Sequence, residues 1–430
     1  MESQRTIEPR EWMTAAPTRS VMAALAAGGA EARFVGGCVR DTLMAALAGR
    51  KELVRDIDIA TDAKPERVME LLKQARIKAV PTGIAHGTVT AVADGRPFEI
   101  TTLRRDVETF GRRARVAFTD SWTEDAARRD FTINAMFLSV DGRVFDPFGG
   151  LDDIATGRVR FVGDARERIE EDVLRLLRFF RFFAHFDRPP PDAAALAACK
   201  ALAPKLPTLS GERVRAELFK LLAAPDPAAT LALMARESIL VHVLPEAENM
   251  PRLAALAALE RESAALAEPP DALLRLAAVL AGGGAAAVAV AARLRLSNKE
   301  GERLLALMTS APVVPPLDTR AERRLLQRLG AARFIDHLRL NWAETRAGQG
   351  GQGGPVDDAP WRALLDAARR WIPVTFPIKG EDAVKCGVPP GPAVGELIRA
   401  VEEWWAEEDF RPGRAACLAQ LKALIARLPR

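Results

Sequence analysis

The sequence predicts an α+β domain on a mixed or mainly antiparallel sheet over residues 33–162, followed by a chain that is all-α to its end. Three observations predict this. Up to about residue 162 the apolar residues come in short runs bounded by Gly, Asp and Pro, as in "ARFVGGCVRD", "DIDIAT" and "FTINAMFLSVDGRVFDPFGG". Two Asp-Gly pairs, Asp94-Gly95 and Asp141-Gly142, lie between such runs and suit hairpin turns. Beyond about residue 165 the chain is rich in Ala, Leu and Arg, with apolar residues at helical spacing, as in "GERVRAELFKLL", and prolines at the joints.

Residues 1–32 read as an N-terminal helix, and 33–41, "RFVGGCVRD", as a strand, a Gly-Gly turn and the start of a helix. The segment "PERVMELLKQA" has helical spacing at Val68, Leu71 and Leu72. Thr88–Ala93 and Phe98–Leu103 form the arms of the first hairpin. The helical part divides into 163–205, 206–346 and 347–430, the last opening on a flexible seam, "AGQGGQGGP", before a small helical unit.

Composition narrows the function classes. With 430 residues there is material for two or three domains. The 61 Lys and Arg against 57 Asp and Glu give a net charge of only +4, so contact with nucleic acid requires charges gathered into patches. There is no tyrosine, which leaves aromatic stacking to Phe and Trp. Cys38, Cys199, Cys386 and Cys417 are scattered without a C-x-x-C pair, which argues against a zinc site or a disulfide framework and for a reducing compartment. The first residues lack an apolar core of the signal-peptide type, and no stretch has the length and hydropathy of a membrane span. A cytoplasmic protein is expected.

The candidate chemistry begins at "VRDIDIAT". In a strand, Ile57 and Ile59 face one side, Asp56 and Asp58 the other, and two adjacent carboxylates repel unless a cation lies between them. Such a pair is either the solvated face of a strand or a cation site, and the surrounding motifs decide. Upstream, the Gly36-Gly37 turn lets backbone amides approach an anion, with Arg40 adding charge. Downstream, Glu99 lies on a strand, as a third hard-oxygen ligand or as a solvated edge residue. In "ARRDFTINAM", Arg129 suits a phosphate and either Asp130 or Asn134 a ribose hydroxyl; the same residues also suit an acidic helix cap. In "EEDVLRLLRFFRF", Asp172 and Arg175 are i,i+3 neighbours if the stretch is one helix, with Arg178 and Arg181 continuing the row and Leu176, Leu177, Phe179 and Phe180 turned to the core.

Taken in order, Gly36-Gly37 with Val39-Arg40-Asp41, Asp56-x-Asp58, "RRDFTINA", "DPFGG" and "EDVLRLLRFFRF" resemble the motifs of class II CCA-adding enzymes, tRNA nucleotidyltransferases related to the bacterial poly(A) polymerases. The likeness is strong over residues 33–185. "GERVRAEL" and "GEDAVKCGVPPGPAVGELI" resemble later family segments, the second in the tRNA-binding tail. The resemblance implies a nucleotidyltransferase palm at 33–162, a base-recognising neck at 163–205, a helical body at 206–346 and a tail at 347–430.

It further implies two Mg²⁺ ions on Asp56 and Asp58, helped by Glu99, and a triphosphate held by Gly37, Arg40 and Arg129. Asp172, Arg175, Arg178 and Arg181 would line the base side, and the basic, irregular segment 104–125 would be the loop that helps switch from C to A. CTP and ATP are the implied substrates and tRNA the implied partner, with no protein partner. Cytosine and adenine each offer an amine donor beside a ring-nitrogen acceptor, which a carboxylate and a guanidinium complement; uracil and guanine do not. The rivals are a poly(A) polymerase, a CC-only or A-only relative, and a catalytically inactive RNA-binding protein. The first lacks support because its "GRRF" signature is missing, and the last because both strand aspartates are present.

Overall fold

The computed structural model describes residues 5–51, 54, 56–110, 113–186, 190–262, 269–309, 312–349 and 356–427, and of 106–110, 113–116 and 349 the backbone alone. The chain divides into two compact units, Met1–Met250 with Ala289–Ser297, and Pro251–Val288 with Asn298–Arg430.

The first unit opens with β1 (Arg5–Thr6), α1 (Glu11–Thr14), α2 (Ala16–Ala27), β2 (Ala32–Val35), α3 (Gly37–Leu47), β3 (Ile57–Thr61), α4 (Pro65–Gln74) and β4 (Lys78–Gly83). It continues with β5 (Thr88–Ala93), β6 (Arg96–Thr102), β7 (Arg104–Phe110), β8 (Arg113–Phe118), α5 (Trp122–Ala127), β9 (Phe137–Leu138), β10 (Arg143–Phe145) and α6 (Gly150–Thr156). Eight strands form one sheet in the order β1-β10-β9-β2-β3-β6-β5-β4, and β7 pairs with β8 in a second, two-stranded sheet. Every pairing in the large sheet is antiparallel except β3 with β6. The expected mixed sheet is therefore present.

Local chemistry accounts for these elements. Along β5, Val89, Ala91 and Ala93 point inward and the residues between them are partly exposed, the two-residue period of a strand with one buried face. Asp94 and Gly95 turn the chain with φ of 49° and 75°, as a two-residue hairpin loop matched to strand twist requires. Gly142 makes the second predicted turn, and a Cβ there would lie 2.0 Å from the Ile7 carbonyl oxygen, so only glycine lets β1 approach β10. Helix α4 starts on Pro65 and buries Val68, Leu71 and Leu72.

The sheet is buried on both faces. Ile57 and Ile59 join Phe34, Val39, Leu71, Val89 and Ile100 in the main core. Ala60, from the Asp58 side of β3, joins Val35, Leu103, Trp122, Ala126 and Phe137 in a smaller one. The carboxylate face of the D-x-D strand is thus only locally polar.

Two expectations change here. Residues 1–32 hold the edge strand β1 as well as helices, because the backbone of Arg5 and Thr6 completes the sheet beside β10. The segment 104–125 is not irregular: β7 and β8 pair from Arg104↔Phe118 to Phe110↔Arg113, and α5 follows, capped by the Ser121 hydroxyl. Its high charge obscured the strand pattern. Gly111 and Arg112 lie outside the described residues.

The unit continues with α7 (Ala165–Glu171), α8 (Leu174–Phe186), α9 (Ala193–Leu202), α10 (Gly211–Leu222) and α11 (Pro227–Arg236). On α8, Leu176, Leu177, Phe179 and Phe180 are buried as expected. In the second unit, Arg275 and Glu260 form a buried ion pair at 2.6 Å. The tail packs Ile378, Val388, Leu397, Val401, Trp405, Cys417 and Leu421 into a core of its own. The glycine-rich seam begins later than expected, since a helix spanning Ala331–Gln349 runs into it, and 350–355 lie outside the described residues. All four cysteines are unpaired, and no helix among the described residues is long and apolar enough to cross a membrane.

Ile59 is fully buried beneath the aspartates. Ile59→Ala is expected to destabilise the first unit by about 2–5 kcal/mol, measured by chemical denaturation; a loss within experimental error would show that β3 is not fastened through that face.

Candidate active site

The parallel pairing of β3 with β6 sets Asp58 directly beside Glu99, on the same face of the sheet. Asp56, just before β3, is exposed, while Asp58 is half-buried. Burial, then the negative charges of Glu99 and Asp56, push the Asp58 carboxyl up to about 6, against the opposing pull of Arg129. This is a concentration of negative charge with incomplete compensation. Among the described residues no three acid, His or Cys side chains converge into a metal cage.

The Gly-Gly turn lies against this cluster. Gly36 has φ 76° and ψ −133°, a conformation for glycine, and a Cβ on it would meet Asp58 Oδ2 at 3.4 Å. Gly36 caps α3 without a side chain, so the leading amides of the helix are offered to an anion over the turn. Arg40, one turn into α3, donates from Nη1 to the Asn134 side-chain oxygen at 2.9 Å.

Arg128 and Arg129 are held by one buried carboxylate that the sequence reading missed. Asp125 Oδ1 accepts from Arg128 Nε and Nη2 at 2.9 and 2.7 Å and from the Arg104 amide at 3.2 Å. Its Oδ2 accepts from Arg129 Nε and Nη2 at 3.2 and 2.9 Å. Burial pushes this carboxyl up, but Arg129 and Arg128 outweigh burial and hold it below its ordinary value. The signal was present as i,i+3 and i,i+4 spacing on α5.

Asp130 is not the cap of a regular helix, because α5 ends before it and only a 3₁₀ turn, Thr132–Asn134, follows. Its Oδ1 accepts from the Phe131 amide at 2.9 Å and Asn134 Nδ2 at 3.1 Å, and its Oδ2 from Arg178 Nε at 2.7 Å. Burial is again overridden, here chiefly by Arg178, and the carboxyl stays low. Arg178 and Arg181 reach Glu217 of α10 at 4.0 and 3.0 Å.

Asp172 and Arg175 differ from their expected arrangement. The helix breaks at Asp172, whose φ of −149° and ψ of 105° are extended, and α8 restarts at Leu174. The two are therefore not i,i+3 neighbours on one helix face. Asp172 Oδ1 accepts from the Leu174 amide at 3.2 Å, and its Oδ2 from Arg213 of α10 at 2.7 Å. Arg175 pairs with Glu171 and donates to the carbonyls of Arg168 and Arg128 at 3.1 and 3.2 Å. Glu171, Arg213 and Glu217 were not singled out from sequence; their only signal was the quoted "EED" and "GERVRAEL" segments.

The Asp125 pair gives a test in pH. Its lowered pKa means its contribution is complete above the unfolded carboxyl's pKa, about 3.9, and is lost as pH falls through the folded value. Asp125→Asn is expected to cost about 3–5 kcal/mol at neutral pH, with the gap to wild type closing below about pH 4. A gap that stays constant through acid denaturation series would contradict this.

Residues 32–160 match the family described as Poly A polymerase head domain, and 191–250 the one described as Probable RNA and SrmB- binding site of polymerase A. A Mus musculus protein named CCA tRNA nucleotidyltransferase 1, mitochondrial, is 33% identical over 91% of this chain and 86% of its own. A Limosilactobacillus fermentum CCA-adding enzyme is 32% identical over 95% of this chain and 97% of its own. The crystal structure of the Bacillus stearothermophilus CCA-adding enzyme in complex with CTP superposes with a TM-score of 0.77 at 28% identity, covering 96% of this chain and 98% of the other. With likeness of this extent joined to the motif order and the site geometry, the chain belongs to the class II CCA-adding enzymes, the tRNA nucleotidyltransferases.

Proposed function

We infer that this enzyme completes tRNA by adding C, C and A to its 3′ end, taking the nucleotides from CTP and ATP. The observation that carries this reading is the gathering, in one unit, of a carboxylate cluster, a Gly-Gly helix start and a set of buried arginines, within a chain similar along its length to enzymes of that name. In the reaction the tRNA 3′-oxygen forms a bond to the α-phosphorus, the bond from that phosphorus to the β-phosphate oxygen breaks, and pyrophosphate leaves. The hydroxyl proton is lost to solvent or to a nearby base.

The donor set fits Mg²⁺. Asp56 and Asp58 are hard-oxygen ligands carrying under-compensated negative charge. One or two carboxylates completed by waters and substrate phosphates is the common arrangement for that ion, and needs no third protein ligand. Two Mg²⁺ ions bound there would supply neutralisation of the reacting oxygens. Glu99 adds negative charge beside Asp58. The amides at Gly36 and Gly37, with Arg40 and Arg129, receive the triphosphate. Asn134, whose oxygen faces Arg40 and whose amide holds Asp130, is the better placed of the two ribose candidates, because Asp130 already accepts from three donors.

Base choice falls to Asp172 and Arg175. Arg213 and the Leu174 amide orient the carboxylate, and each of its oxygens keeps a lone pair for an amine donor. Glu171 and the two carbonyls orient the guanidinium, leaving Nε–H without a protein partner among the described residues. Residues 163–205 form the neck in this reading, with the body at 206–346 and the tail at 347–430 gripping tRNA; the RNA-binding family match at 191–250 supports that. Four free cysteines suit a cytoplasmic location.

Asp56→Ala is expected to abolish incorporation of labelled CTP and ATP into tRNA lacking its CCA end while tRNA binding persists. Undiminished turnover would remove the carboxylates from the chemistry. Asp172→Ala should admit UTP and GTP; unchanged rejection of both would assign base choice elsewhere.

A further inference from the structure

Three arginines from two distant parts of the chain surround one aromatic ring. The guanidinium carbons of Arg181, Arg40 and Arg178 lie 4.2, 5.1 and 5.7 Å from the centroid of Phe182, a residue only 6% exposed. Arg40 also lies 5.8 Å from Phe186, whose ring is stacked on Phe182 at 6.0 Å. Phe131, next to Asp130, meets Phe182 edge-on at 5.2 Å, so the ring is fixed from the sheet side as well.

Like charges at this spacing repel. Burial pushes Arg181 down to about 10, with Arg178 and Arg40 adding to the shift while Glu217 and Asp130 oppose it. Carboxylates relieve such repulsion by occupying N–H donors. An aromatic face relieves it differently, because the ring quadrupole attracts the cation and leaves the N–H groups free for another acceptor. Asp41, Asp130 and Glu217 already take part of the donor set of the three arginines. What the ring preserves is the remainder.

We propose that Phe182 is a positioning residue for the triphosphate, holding Arg40, Arg178 and Arg181 together through its π face so that their remaining N–H groups receive phosphate oxygens. The inference rests on the triphosphate reading above and extends it from Arg40 to Arg178 and Arg181, which the sequence placed on the base side. Because the ring acts on phosphate-binding groups and not on the base edge, its loss affects every ligand that carries the pyrophosphate moiety alike.

The test uses the full-length enzyme and measures KM for CTP, KM for ATP and the inhibition constant of inorganic pyrophosphate. Phe182→Leu is expected to raise all three by about thirtyfold, the size of a desolvated cation–π contribution. Replacing Phe182 by 3,4,5-trifluorophenylalanine, which keeps the ring's shape and removes most of its quadrupole, should raise them as much. Phe183→Leu removes a neighbouring buried ring, stacked on Phe179, and should leave all three within about twofold of wild type at a comparable loss of stability. A trifluorinated enzyme that behaves as wild type overturns the proposal, since shape alone would then suffice. So does a Phe183→Leu enzyme with the same rise. Arg40→Ala separates the two levels: no rise in that variant overturns the triphosphate reading itself, whereas a rise there without one in the trifluorinated enzyme overturns only the role of Phe182.

Discussion

The pairing of Asp130 with Arg178 is the constraint on which the site depends. It joins the loop after α5 to the helix that carries the arginine row, and Asp130 is only 9% exposed. Removing two charges from water costs several kcal/mol per ion, and only good geometry with further hydrogen bonds recovers that cost. Asp130 has both: Arg178 on one oxygen, and Asn134 with the Phe131 amide on the other. From it the contacts run outward through Asn134 to Arg40 and through Arg178 to Glu217. Helix α8 therefore has one register relative to the sheet, set by polar contacts, while its phenylalanines supply the burial.

The same design recurs around the site. A buried carboxylate holds two or more arginines, and other donors of the same arginines stay available. Asp125 does this for Arg128 and Arg129, and Glu217 for Arg181 and Arg178. The carboxylates of Asp56, Asp58 and Glu99 are the opposite case. Asp58, beside Glu99 and Asp56, has Arg129 opposing the crowding among the described residues, and its proton affinity still rises. A protein that accepts such imbalance on one side and anchors its arginines on the other is suited to a ligand carrying both a cation and a polyphosphate.

Much of this was legible in the sequence where the determinants are local. The Thr88–Ala93 arm and the Asp94-Gly95 turn were readable because a two-residue period and turn chemistry act over a few residues. The isoleucines of β3 were readable for the same reason. The neighbourhood of Asp58 and Glu99 was readable only as one of two alternatives for Glu99, since it depends on a parallel pairing made only after α4, β4 and β5 have crossed over. The break at Asp172 was hidden because neither Gly nor Pro marks it, and Asp172 itself supplies the hydrogen bond to the Leu174 amide that restarts the helix. The strands β7 and β8 were hidden by charge, and Phe182 was not singled out because Arg40 joins it only in the folded chain.

This site is expected to build a defined trinucleotide end without a nucleic-acid template. The most direct measurement is to incubate the wild-type enzyme with tRNA ending before its CCA, offer CTP and ATP separately and together, and sequence the product ends. The account predicts arrest after two C residues with CTP alone, and a single CCA end when both are present. Long adenosine tails, or ends that stop at CC with both nucleotides present, would contradict it.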